Sequence, residues 1–574
     1  MPKTYFQKRG YDFYIAINNV SIARSMITDE IIVDKATGQT STAQFTLLHG
    51  IGVQDPDSYV GKLVTIDVRE NTGIKRIFTG IIELPELDLI KKRTTYKCSD
   101  NRELIIKNLP DSYVNNIGTY SELILGTYND KVELLTKRME TIPYYFNLDS
   151  YQLPRLTSWT PKATPDHVLG ATNVYRREPT VVFTQRNKTV NSVDISFTYE
   201  YQRCFQKAIS YSWSGYDSLF RWVLDGRPSF PTKEAIKSAA DGVGWVVPSI
   251  SYVNLWPAQG LSIGDGVVLW QPNTLSSQYE VRRDSQGNIV KDASGDTLYR
   301  EVSHTINDIS SHLCRGANWT AYKRWTQNLR EAYTLTLYSP QSVARFGENK
   351  SIENYTLSSD YSPDTWESAP PDVDFDSDSF INQDTNRPDL NLAFNAAINK
   401  AYVALLRVHR DVEVNTQIPI KPSIDIHHTV EIDMYKVECK GIVKRIKHYI
   451  DVPSTNAYTE LTLELSRMNG SASTSTLTPP SVPSEDLSYN TFITAISLQT
   501  LLGEDPANYP NFAGYIGNKW TSGTSLEPSV RTTYPECFIV DSPDITNTLR
   551  DTRNLYSTSS YTIAIPNDPL VVRY

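Results

Sequence analysis

The chain is poor in sulfur. Its 574 residues include five Cys and five Met. Cys98, Cys204, Cys314, Cys439 and Cys537 lie far apart, with no CxxC pair and an odd total. This excludes a disulfide framework and a zinc ribbon, and points to synthesis in a reducing cytosol with Cys as small core residues. No stretch approaches 18 consecutive apolar residues, so no membrane span is expected. The opening MPKTYFQKRGYDFY has charge but no apolar h-region, so no signal peptide is expected. Basic residues are outnumbered 56 to 65, a formal charge of −9. A chain whose main affinity is for nucleic acid needs a basic surface, and this balance argues against one.

Chemical signatures are missing too. There is no GxSxG elbow, no GxGxxG and no phosphate loop. The eight His are scattered without an HExxH. His427 and His428 fall in a strand-like run, which predicts opposite faces and no shared metal. Asp372, Asp374, Asp376 and Asp378 alternate, but neither the Gly turn nor the bidentate Glu of a calcium loop follows. That segment reads as a solvated linker. The expectation is a non-enzyme, with no catalytic, cofactor or metal residues. A glycosidase needs only two carboxylates, but no acidic pair here has a recognisable context.

What is present is β-forming sequence. Thirty-five Tyr stand against 17 Phe; Tyr offers an apolar face with a polar tip and suits strands and contact surfaces. Phe13, Ile15 and Ile17 alternate, as do Val64, Ile66 and Val68. Further short runs cover Arg76–Glu83, with Gly80 inside, and Arg93–Cys98. Short strands at this spacing predict a small barrel or sandwich. Val193, Ile195, Phe197 and Tyr199 alternate in a second β region. Paired turn signals at 284–288 and 292–296 predict a polar surface hairpin near 282–300. Helices are expected over 120–140, split at Gly126, and over 232–241, stopped by Gly242. The strongest helix is Asp389–Arg410, with Asp389 as N-cap. Its apolar stripe is Ala393, Phe394, Ala397, Ile398, Ala401, Leu405 and Val408. Strands return over 424–467, and the Ser/Thr/Pro run 471–486 reads as a linker.

These signals divide the chain into a first β-barrel domain (1–110), a helical and irregular connection (111–180) and a second β-rich region with the hairpin (181–347). An acidic linker (348–388), a helix plus second barrel strands (389–470), a linker (471–486) and a C-terminal distal domain (487–574) follow. Two segments echo each other. Val64-Thr-Ile66-Asp67-Val68, Gly80-Ile81-Ile82, Asp88 and Thr94-Thr95-Tyr96 parallel Val430-Glu-Ile432-Asp433-Met434, Gly441-Ile442-Val443, Asp451 and Thr459-Glu460-Leu461. Such an echo implies two related barrels in one chain.

The stretches 61–83, 324–348 and 425–467 resemble the tail and baseplate hub proteins of long-tailed bacteriophages. The resemblance carries no catalytic signature. It implies a mainly β fold: two small barrels related to the tail-tube fold, inserted helical and β segments, and a C-terminal appendage. It further implies a homotrimer joining a six-fold tail tube to a distal tip or spike, around a channel through which the genome passes without specific binding. Implied partners are the tail tube or distal tail protein, the tape-measure protein, the central spike or tip, and peripheral fibre proteins. The implied location is the virion, after synthesis in the host cytoplasm. The 471–574 extension and the 282–300 hairpin lie outside the resemblance. Two other readings stay open. One is a receptor- or carbohydrate-binding tail-tip protein using Trp213, Trp222, Trp245, Trp256 and Trp270 as stacking platforms; the other is a tail-associated cell-wall hydrolase.

Overall fold

The computed structural model describes residues 11–49, 55, 57–70, 72–170, 177–183, 190–214, 237, 240–241, 244–253, 261–263, 267–270, 275–306, 316–359, 366–367, 379–454, 456–468, 473–484, 495–499, 545 and 547–573. The fold is mostly β, with few helices. The alternating N-terminal runs form β1 (Phe13–Ile17), β2 (Ile27–Ala36), β3 (Thr42–Leu48), β4 (Leu63–Glu70), β5 (Gly73–Asp88) and β6 (Arg93–Ser99). They pair in the order β2-β3-β6-β5-β4-β1. Their period-2 apolar residues share one core, including Ile15, Val33, Phe45, Ile66, Phe78 and Tyr96. Among the described residues no pairing joins the end strands β1 and β2. Both contribute to one core: Ile15 and Ile17 lie in it with Ile31 and Val33.

A second set has the same plan. It comprises β7 (His167–Gly170), β8 (Arg177–Phe183), β12 (Val412–Pro419), β13 (Thr429–Asp433), β14 (Val437–Asp451) and β15 (Asn456–Leu465). The order is β8-β12-β15-β14, with β13 on β14 and β7 on β13. Its core holds Leu169, Val414, Val430, Ile432, Val443, Leu461 and Leu463. This module therefore draws strands from 167–183, which the sequence reading had assigned to a helical connection and to another domain.

Residues 184–411 are inserted between β8 and β12. Here β9 (Ser192–Ser214) and β10 (Gly316–Tyr338) pair in register along their whole length, 23 residues each. At ~3.3 Å per residue this ribbon is roughly 75 Å long. Val193, Ile195, Phe197 and Tyr199 are all buried, in the phase expected from the sequence. The long helix α1 (Arg387–Val408) starts two residues earlier than read, after Asn386, with Pro388 in its first turn. Its apolar stripe packs against the base of the ribbon, in a core with Phe197, Tyr333 and Leu335, rather than in the core of the second module. Val408 lies at the exposed end of the stripe.

Two linker readings and the distal-domain reading are corrected. Residues 350–358 of the acidic segment form β11 (Lys350–Ser358), parallel to β9. Residues 473–484 run along the ribbon: Ser475 N–H donates to the Thr562 carbonyl and Tyr561 Oη to that of Thr478. The described C-terminal residues 547–573 do not stand apart from the rest. β16 (Arg553–Thr562) pairs parallel to β10, β17 (Leu570–Val572) pairs with β14, and Ile563 and Ile565 lie in the ribbon core. A strand whose backbone bonds are made by another domain cannot be distal to it. The helix at 120–140 does split at Gly126, which has φ +72°. The 282–300 segment carries two exposed Asx turns, with the carboxylates of Asp284 and Asp292 accepting from N–H groups two and four residues on. The helix read over 232–241 and Asp372–Asp378 lie almost wholly outside the described residues.

Candidate functional site

The two modules match residue by residue. Val64 faces Gly80 across β4 and β5, and Val430 faces Gly441 across β13 and β14. One residue on, Ile81 faces Ser99, and Ile442 faces Glu464. A β-bulge follows at the same offset, with Glu83 in β5 and Lys444 in β14 as the extra residue. Beyond it Leu87 faces Thr94, and His448 faces Thr459. Both glycines pass beneath a carbonyl of the third strand. A Cβ on Gly80 would sit 2.1 Å from the Ser99 oxygen, and one on Gly441 2.9 Å from the Glu464 oxygen. The glycine lets three backbones crowd, and the bulge then bends the long strand as it passes from one partner strand to the next. The echo read from sequence is therefore a true structural repeat, except that Asp88 and Asp451 are not equivalent. One strand also differs: β1 is antiparallel to β4, whereas β7 is parallel to β13.

The modules join side by side. Past its bulge, β14 pairs with β15 on one edge and, over Arg445–Asp451, with β2 of the first module on the other. Arg445 straddles this seam in a two-point ion pair with Asp34, at 2.9 and 2.5 Å. Ile450, from the second module's hairpin, is fully buried in the first module's core. Burial of such a side chain contributes about 1.5–3 kcal/mol.

Under the seam lies a buried polar cluster. Lys35 is only 3% exposed. Its Nζ donates to Ser150 Oγ at 2.6 Å and to Asp425 Oδ1 at 3.1 Å. Asp425 also accepts from the N–H and Oγ of Ser150. Burial alone would raise the Asp425 pKa, but the Lys35 charge and these hydrogen bonds hold it well below the usual carboxylate range. His427 and His428 do not point apart as read. They sit in a turn, where Asp425 N–H donates to His428 Nδ1, and their rings lie 4.2 Å apart. His167 adds a third ring 5.0 Å from His428. Burial and the neighbouring imidazoles push His428 down to about 4. No His/Cys/Asp/Glu group among the described residues is arranged to hold a metal. Trp245 is fully buried, with no face for a sugar; the structure says nothing of the other four named Trp side chains.

The sequence reading missed Lys35, Ser150 and Asp425. One signal was available: Ile31, Val33 and Lys35 share one phase of β2, which puts a lysine on the inner face.

No protein-family model matches this chain, and no curated protein does. Among solved structures it is similar to a tail protein from Neisseria meningitidis MC58, at 7% identity and TM-score 0.36, covering 79% of this chain and 96% of that one. A 43 kDa tail protein of prophage MuSo2 from Shewanella oneidensis is similar at 9% identity and TM-score 0.33, covering 79% and 97%. Prophage tail protein gp18 from Listeria monocytogenes EGD-e is similar at 8% identity and TM-score 0.31, covering 79% and 94%. At such scores these neighbours assign nothing to the chain.

Proposed function

We propose that the chain is a structural hub of a long bacteriophage tail. Three copies form a ring between the six-fold tail tube and the distal tip or spike, and the genome passes through it. The observation that carries this reading is the repeat: one polypeptide holds two modules of matched strand order, joined edge to edge. Three such chains present six similar modules, so a three-fold assembly can meet a six-fold tube on one face. A net charge of −9 suits a channel that must not retain DNA. The partners on this reading are the tube or distal tail protein, the tape-measure protein, the tip and peripheral fibres, and the chain is not an enzyme. Its site is the virion tail tip.

Tagged full-length chain, expressed with the other tail proteins of its phage, should retain the tube protein on purification. It should release no fragments from peptidoglycan. Binding of the isolated chain to host cells, with no tail protein retained, would replace the hub by a receptor binder.

A further inference from the structure

The lateral joint inside one chain uses a hairpin from the second module and an edge from the first. The first module has the same hairpin, and the second has the same edge; both are unoccupied by any strand among the described residues. After its bulge, β5 pairs with β6 on one side only. Counting from the glycines, Leu89 stands where Ile450 stands in the second module. Ile450 is fully buried, yet Leu89 is 80% exposed and its neighbour Ile90 94%. Leu84 and Leu87, along the same hairpin, are also exposed. A cluster of apolar side chains at an open strand edge is a template for another chain. The matching acceptor is β8. It occupies the place of β2, pairs with β12 on its inner edge, and ends the row of strands on its outer edge.

We infer that the β5–β6 hairpin of one copy docks on the outer edge of β8 of a second copy, repeating the joint between β14 and β2. This rests on the hub reading for the number of copies, but not for the surfaces. Register can be carried over through the equivalent pairings. Lys447 faces Asp34 and His448 faces Val33 in the existing seam. The corresponding pairs are Glu86 with Val182, and Leu87 with Val181, of the second copy. Pro85 fits this placement. The bond from Thr37 N–H to the Lys444 carbonyl fixes the phase of the seam, so that Ile446 directs its N–H toward β2. By the same phase Pro85, the equivalent of Ile446, lacks its N–H on the outer edge, where proline is tolerated. It thins the intermolecular ladder, leaving specificity to the apolar tip, and guards the edge against indiscriminate pairing.

The test is oxidation of full-length E86C/V182C, with I74C/V182C as the control, both carrying C314S and C537S. Glu86 and Val182 fall in a non-hydrogen-bonded pair, the closer kind, and the native Cys98, Cys204 and Cys439 are buried. The inference expects covalent dimers and trimers from E86C/V182C and single chains from the control. In parallel, L89D should shift the native assembly to single chains without changing their far-ultraviolet spectrum. A trimer that neither cross-links at this pair nor responds to L89D overturns the seam and leaves the hub standing. Cross-linking in the control pair overturns the register. A chain that is single under all conditions overturns both.

Discussion

Gly80→Ala should unfold the first module. A methyl group there would lie 2.1 Å from the Ser99 carbonyl oxygen and 2.5 Å from the Phe78 ring. Backbone cannot rotate away as a flexible side chain can. The Ile81–Ser99 pairing would have to break, and with it the bulge that follows. Overpacking of a core costs about 1–3 kcal/mol where side chains can adjust; here the loss should exceed about 3 kcal/mol. Gly441→Ala is the graded counterpart. Its methyl would stand 2.9 Å from the Glu464 oxygen and 3.2 Å from Leu465, so a small shift suffices and the loss should be about 1–3 kcal/mol. Urea unfolding followed by exchange of amide protons in each module would read both. Equal, negligible effects would mean that the glycines do not mark a shared geometry.

Lys35→Met should be comparably severe, for an electrostatic reason. It leaves the Asp425 carboxylate buried with Ser150 as a hydrogen-bond donor but no cation. Removing one partner of a buried pair typically costs 3–5 kcal/mol, because the other charge stays behind. The dependence on pH has a definite sign. In the native chain Asp425 titrates below its unfolded value, so its contribution is present above the unfolded carboxylate range and lost as pH falls through the folded pKa. Without Lys35, burial raises that pKa, and the acid can protonate cheaply. The deficit of the variant should therefore be largest near neutrality and shrink as pH falls toward about 4. Lys35→Met/Asp425→Asn should recover part of the loss, which a double-mutant cycle would quantify. A deficit that does not vary with pH would assign the cost to packing instead.

The strands and the repeat were legible because the physics that makes them is local. Alternation of Phe13, Ile15 and Ile17, or of Val193, Ile195 and Phe197, sets which face is buried. A glycine after an alternating strand marks the crowded crossing. Assembly of those strands was less legible. β8 and β12 are neighbours in space but flank residues 184–411, and no short-range pattern reports such a pairing. β16 and residues 473–484 have loop-like composition, and their backbone partners are β10 and β16, far away in sequence. The seam cluster was hidden for a similar reason: Lys35, Ser150 and Asp425 are each more than a hundred residues apart, and only an inward-phase lysine hinted at a buried partner. His427 and His428 misled because adjacent residues were taken as a strand, whereas Asp425 caps a turn there.

The most direct measurement is the assembled full-length chain imaged end-on in averaged projections, with its mass measured in solution. The account predicts three times the 64.9 kDa chain mass and a ring of six similar lobes around an open centre. A single-chain particle, or a three-fold ring whose two lobes per chain differ in outline, would contradict it.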